Sequence, residues 1–189
     1  LVEGFCDGFS TTDGQTASAA IEALAGIFMF DASNYDAGLH FIPRGGAHIA
    51  VIPPGDLIDT GRQVETTTRR DAINIPKVMN LQYLDTEGGL TPDKQTSDRS
   101  LDSRASAESR QETTVIMRAD DAARAVTILH KVSIEEQRGE KQFALSDNWL
   151  GLTVADVVRL NDERLRITSV DIDEGVQKYK AVYDRLSAY

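Results

Sequence analysis

Helical periodicity appears at only two places in this chain of 189 residues, and that scarcity constrains the fold more than any other feature. Ile21, Leu24, Ala25 and Phe28 recur at i, i+3, i+4 and i+7, which is one face of a helix. Asp13 or Thr16 is the expected cap, and the helix is expected to end near Phe30. Asp31-Ala-Ser-Asn34 then reads as a turn. A second helix is expected from Asp120, its cap, with Ala122, Val126, Leu129 and Ser133 on the inner face and Gly139 as the stop.

The remaining patterned segments read as strands. Residues 39–43 and 48–52 flank Arg44-Gly45-Gly46-Ala47, so they predict a hairpin whose glycines take positive φ at no steric cost. Pro53-Pro54-Gly55-Asp56 stops its second strand. Thr66, Thr67 and Thr68 favour extended backbone. Met79, Leu81 and Tyr83 alternate with Asn80 and Gln82, which predicts one buried face and one wet or interfacial face. Residues 112–117 read as a strand. Four more strands are expected at 141–146, 152–160, 163–172 and 175–184, joined in part by turns at Asn161-Asp162 and Asp173-Glu174-Gly175.

Residues 85–110 carry almost no core-forming side chains and read as a long polar loop, the expected site of greatest mobility. The sequence therefore divides into a first half at 1–84, the loop at 85–110 and a second half at 111–189. Helices do not alternate regularly with strands. The fold class that follows is α+β, mainly antiparallel, with two principal helices.

Composition narrows the function classes. Hydrophobic residues make up 41% of the chain, enough for a packed core, but aromatics only 6%, so Ile, Leu, Val and Ala must fill it. A formal net charge of -10 argues against tight binding to a phosphate backbone or an anionic membrane surface. No apolar run reaches membrane-span length, and Glu22 interrupts the nearest, 17–30. No basic region leads an apolar stretch, so no signal peptide is visible. The chain starts at Leu1, which suggests an excised piece. Cys6 is the single cysteine, which excludes an internal disulfide and fits a reducing compartment.

Tests for chemistry fail one by one. His40, His48 and His130 lack zinc spacing, although the expected hairpin would bring His40 and His48 together. Cys6 has no sequence neighbour that would activate it. Asp171, Asp173, Glu174 and Gly175 resemble a calcium loop until its twelfth position, which is Val182. Gly4, Gly8 and Gly14 lead to no phosphate-loop lysine, and no nucleophile elbow occurs. Trp149 is expected to cap a sheet. No catalytic residue, cofactor site or metal site is assigned. Arg69, Arg70, Arg99, Arg104 and Arg110 form the one dense basic group, mixed with Asp85, Glu87, Asp93, Asp98, Asp102 and Glu108. Mixed charge of this kind marks a solvated or partner-facing segment. Asn80, Gln82, Asp93, Arg99 and Arg104 are accordingly the candidate partner contacts.

The order of segments resembles the central hub region of large phage tail-tip proteins, including the host-specificity proteins of lambda-like siphophages and the tail proteins of gene transfer agents. Four stretches carry the resemblance. They are 19–31 followed by Leu39-His-Phe-Ile-Pro-Arg-Gly-Gly46, then Ile75-Pro-Lys-Val-Met-Asn-Leu-Gln-Tyr-Leu-Asp85, the helix from Asp120, and Leu152-Thr-Val-Ala-Asp-Val-Val-Arg-Leu160. One departure is Val154-Ala155-Asp156, where members of that family often carry Pro-Gly-Asp. The resemblance implies barrel-like β domains in a trimeric ring, a role in the virion tail connecting tube to tip after assembly in the bacterial cytoplasm, and contacts with other tail-tip and tube proteins. It implies passage of DNA without specific binding and no membrane insertion by this segment. A peptidoglycan hydrolase domain and a host-surface carbohydrate-binding module, with exposed aromatics around Trp149 or Tyr83, are the alternatives.

Overall fold

A computed structural model describes residues 7–11, 14–35, 37–59, 61, 64–69, 75–98, 107–173 and 175–189. In chain order the strands are β1 (Gly8–Phe9), β2 (Phe30–Tyr35), β3 (Gly38–Pro43), β4 (Ala50–Ile52), β5 (Glu65–Thr68), β6 (Val78–Asp85), β7 (Thr91–Asp98), β8 (Glu108–Met117), β9 (Glu140–Leu145), β10 (Val157–Leu160), β11 (Glu163–Asp173) and β12 (Val176–Tyr183). The helices are α1 (Ala17–Phe28) and α2 (Ala119–Glu136). The α+β class with mainly antiparallel pairing holds. The chain forms two compact units, each drawn from separate stretches: 1–44 with 72–134 and 189, and 45–71 with 135–188. The two units interleave along the chain.

In the first unit, α1 starts where the Thr16 side chain accepts from the Ala19 N–H at 3.2 Å. It stops at Met29, whose φ of 52° is left-handed and whose N–H bonds back to the Ala25 carbonyl. The expected turn at 31–34 is instead part of β2, which pairs with β3 from Phe30↔Pro43 to Tyr35↔Gly38. The hairpin expected between 39–43 and 48–52 does not form. β3 folds back on its predecessor, and β4 pairs in parallel with β10 in the other unit, where it buries Ile52. Arg44-Gly45 is the point where the chain passes from one unit to the next. The register that would have brought His40 and His48 together is therefore absent.

The unit's main sheet runs β1-β8-β6-β7, with β6 parallel to β8 and antiparallel to β7. Met79, Leu81, Tyr83, Val115 and Met117 point inward against Ile27 of α1 and Ala122, Ala125 and Val126 of α2. Asp120 and Asp121 lie in the first turn of α2, where their charge opposes the helix dipole; Asp120 is not its cap. His130 is buried at 3% exposure. Its Nε2 donates to the Pro76 carbonyl at 3.0 Å, which leaves Nδ1 to accept from the Ser97 hydroxyl at 3.0 Å.

The long loop expected at 85–110 is corrected in its middle. Residues 91–98 form β7, paired along its whole length with β6. An edge strand needs backbone partners more than apolar side chains, and Pro92, Asp93 and Lys94 protect the free edge. The expected loop's end is corrected too, since residues 108–110 begin β8, and its part at 99–106 lies outside the described residues.

In the second unit, a six-stranded sheet runs β4-β10-β11-β12-β9-β5. The expected closing meander is present, with β10 confined to the end of its expected span. Asn161 and Asp162, at φ 51° and 65°, make the two-residue turn between β10 and β11. Both edge strands come from the excursion at 45–71. Ile52 joins Phe143, Leu145, Leu160, Leu165, Ile167 and Tyr179 in the core. Trp149 packs against this core, as a sheet cap would, and donates to Asp56 at 3.2 Å.

The sheet curls enough for its β5 edge to reach the β10–β11 turn through side chains. Asn161, at the β10–β11 turn, donates to Glu65 of β5 at 3.1 Å, although these strands stand far apart in the sheet order. Lys141 alternates with Phe143 and Leu145 on the inner face of β9 and is 4% exposed. Its Nζ lies 2.5 Å from Glu163 and 3.5 Å from Glu65. Burial works against its charge, but the hydrogen bond to Glu163 and the charge of Glu65 outweigh burial and raise its pKa.

Two substitutions test this description. Replacing Lys141 with Met leaves Glu65 and Glu163 facing each other without a cation. Breaking a buried pair costs about 3–5 kcal/mol, and the partial exposure of both carboxylates brings this to about 2 kcal/mol. Urea denaturation should read that loss, and an unchanged midpoint would contradict it. Ala155 sits at φ 76° in the turn closed by Asp156 N–H to Thr153 carbonyl, a position that favours glycine. Ala155→Gly should stabilise the chain by about 1 kcal/mol in the same assay, and a loss of stability would count against the strained turn.

Candidate functional site

The outer face of the first unit's sheet is polar where its inner face is apolar. On β6, Asn80 and Gln82 point away from Met79, Leu81 and Tyr83, as the alternation requires. The neighbouring strands set Thr96 and Lys94 beside them on one side and Arg110 and Glu112 on the other. Thr96 donates to Asn80 at 2.8 Å. Arg110 donates to Gln82 and pairs with Glu112 at 2.9 Å. Asn80, Gln82, Lys94 and Arg110 floor a shallow depression of about 590 Å³, bordered by Pro92, Asp93 and Glu108.

Asp93 stands opposite Tyr83 in the register, on the other face from Asn80 and Gln82. Its carboxylate accepts from the Tyr83 hydroxyl at 2.8 Å. A bond from the Lys94 backbone N–H, followed by the Tyr83 bond, lowers the Asp93 pKa. The structure thus sets Asn80 and Gln82 in one depression, Asp93 lies at its border with its carboxylate turned to Tyr83 on the other face, and Arg99 and Arg104 lie outside the described residues. Lys94 and Thr96 escaped the sequence reading because their strand carries no apolar alternation. The inward positions of β7 include Gln95 and Ser97, so only pairing reveals which side chains share a face.

Other chemistry finds little footing among the described residues. No group of three or more His, Cys, Asp or Glu side chains is placed to hold a metal ion there. Cys6 lies outside them. Tyr83 is 1% exposed, and Trp149 is partly buried against the second unit's core, so neither presents the open ring that a sugar platform requires. No described helix is long and apolar enough to cross a membrane.

Burial, followed by the bond to Asp93, pushes the Tyr83 hydroxyl up to about 12, and burial pushes Tyr179 up to about 12 as well. Both shifts favour the neutral phenol in the fold. Their stabilisation is complete below the ordinary value of 10.0 and is lost as pH rises toward 12. An absorbance titration of the folded chain should show Tyr83 and Tyr179 ionising late, and Tyr83→Phe should remove one late-ionising group. Ionisation of all five tyrosines near 10 would contradict the burial.

Comparison with known proteins fits this picture. Residues 16–174 match the family described as "Putative phage tail protein". The fold is similar to a chain in the virion of a native gene transfer agent particle, with a TM-score of 0.87 and 24% identity over 96% of this chain and 42% of that one. It is also similar to the 43 kDa tail protein of prophage MuSo2 from Shewanella oneidensis (TM-score 0.59, 13% identity, 95% of this chain and 57% of that one). A tail protein from Neisseria meningitidis MC58 matches at TM-score 0.59 and 9% identity, over 95% of this chain and 58% of that one. This chain therefore spans less than two thirds of the length of each of these structures. No curated protein matches it significantly. Because the family match runs through most of its length, the chain belongs to this phage tail protein family and is a structural component of a phage-type tail.

Proposed function

We propose that the chain is a non-enzymatic segment of a tail-tip hub, connecting the tail tube to the distal tip. The observation that carries this reading is the likeness to a gene transfer agent virion chain along 96% of the present chain. Its partners on this reading are other tail-tip and tube proteins, and the longer parent protein assembles as a homotrimer in the bacterial cytoplasm before joining the virion. DNA passes the hub without specific binding, which suits a chain of net charge -10.

The proposed contact surface is the polar face around Asn80 and Gln82, with Asp93 at its border and Arg99 and Arg104 in the neighbouring segment. A sheet face that sets Lys94 and Arg110 among Glu108 and Glu112 offers charge patterning that fixes register with a neighbour. Such rim charges act on association more than on folding. Because residues 91–98 form a strand, deleting the segment would remove β7, and charge reversal is the cleaner test. The double variant Lys94→Glu/Arg110→Glu should keep the isolated chain's stability within about 1 kcal/mol. Supplied to a tail-deficient strain, it should reduce the yield of complete tails at least tenfold, about 1.4 kcal/mol of association. Normal tail yield from a stably expressed variant would overturn the assignment of this face.

A further inference from the structure

We propose that the groove between α1 and the β2–β3 ribbon receives an amphipathic, basic helix of another tail polypeptide. Two independent observations meet there. The first is a helix more apolar than its burial in this chain accounts for. Glu22 is the one charged residue among the 12 of α1, and the rest are Ala, Gly, Ser or larger apolar residues. A helix apolar on every side belongs in an interior. Yet only Ile27 of α1 is fully buried. Leu24 and Phe28 pack with it on the first unit's core, whereas Ile21 and Ala25 face the groove.

The second observation is the ribbon itself. Among the described strands, β2 and β3 pair with each other alone. Their register sets Phe30 opposite Pro43, Ala32 opposite Phe41 and Asn34 opposite Leu39 on one face. Leu39 and Phe41 are 52% and 54% exposed there, and the Phe41 ring meets the Phe30 ring edge-on at 5.4 Å. Phe30, Ala32 and Leu39 join Ile21 and Ala25 as the apolar lining of a groove of about 550 Å³. A contiguous apolar surface rimmed by polar groups marks a site of protein interaction.

Shape and charge select the occupant. Ser18, Ile21, Glu22 and Ala25 line the groove at i, i+3, i+4 and i+7, so it follows the α1 axis for about two turns, roughly 10 Å. A helix laid along it presents apolar anchors at the same spacing. At the rim, Asp31 is neutralised by Arg44 at 2.7 Å. The Glu22 carboxylate accepts from the Ser18 hydroxyl at 3.1 Å and meets no cation among the described residues. The groove thus carries one uncompensated negative charge, and a complementary helix supplies a Lys or Arg to it. A second copy fits less well, because each chain carries a net charge of -10 and α1 has no basic residue.

Photo-cross-linking in assembled particles tests this. The full chain, with Phe41 replaced by p-benzoylphenylalanine, is built into particles, irradiated and mapped by mass spectrometry. The expected adduct lies in a different polypeptide, in a segment with apolar residues at helical spacing and a Lys or Arg one turn away. An adduct to a second copy of this chain, an adduct to an acidic segment, or no adduct at all would overturn the proposal. Two variants at exposed Glu22 separate charge from shape. Glu22→Lys should lower the yield of complete particles roughly tenfold or more, and Glu22→Gln far less. Equal yields from Glu22→Lys and the wild-type chain would overturn the basic partner. The outcome is independent of the polar face, since neither Lys94 nor Arg110 lines this groove.

Discussion

The covering of the second unit's apolar sheet face and edges is the constraint on which the path of the chain between its two units depends. The β9–β12 meander presents Leu145, Leu160, Leu165, Ile167 and Tyr179 on one face. That apolar face would meet water if the meander stood alone, and its two edges would offer unpaired backbone groups. The excursion at 45–71 resolves both difficulties. β4 pairs with β10, β5 pairs with β9, and Ile52 and Leu57 add to the core between them. The chain must therefore leave the first unit at Arg44, supply two edges and return before β6 begins. The interleaved units follow from this requirement. The charged cluster at Lys141 follows too, because the inward column of β9 continues past the apolar core to the place where β5 approaches the β10–β11 turn.

The first unit solves a different problem with one covered face and one open face. Helices α1 and α2 cover the apolar side of the β1-β8-β6-β7 sheet. The other side is a polar array in which Arg110 pairs with Glu112. An array of this kind resists nonspecific collapse and still offers a patterned contact to a neighbour. For a structural component of a tail, that combination matters more than a cleft. On the proposed reading, the function resides in surfaces that pair with neighbouring tail proteins.

The strongly periodic elements were legible in the sequence because their signals are local. Ala122, Val126 and Leu129 of α2, the alternation at Met79, Leu81 and Tyr83, and the turn at Asn161-Asp162 match the structure, whereas on α1 Leu24 and Phe28 pack on the core but the fully buried residue is Ile27, outside the expected face. Long-range pairing was not legible. β2 contains Asp31, Ser33 and Asn34, residues that read as a turn until β3 pairs beside them. β7 looks like a loop because an edge strand shelters few side chains and fills inward positions with polar residues such as Gln95 and Ser97. Lys141 gave no sign of burial, since its two partners lie 76 residues before it, at Glu65, and across the sheet at Glu163. Of the candidate contacts, Asn80 and Gln82 were found through period-two alternation. Lys94 and Thr96 required the register.

The central claim is that the polar face of β8, β6 and β7 turns toward another tail protein or a second copy of the chain. Amine-reactive cross-linking measures this at Lys94, which is exposed in the isolated chain. In intact particles the account predicts links from Lys94 to a residue of another polypeptide, together with loss of the single-ended labelling seen in the isolated chain. Equal single-ended labelling of Lys94 in both preparations, with no link to another polypeptide, would contradict it.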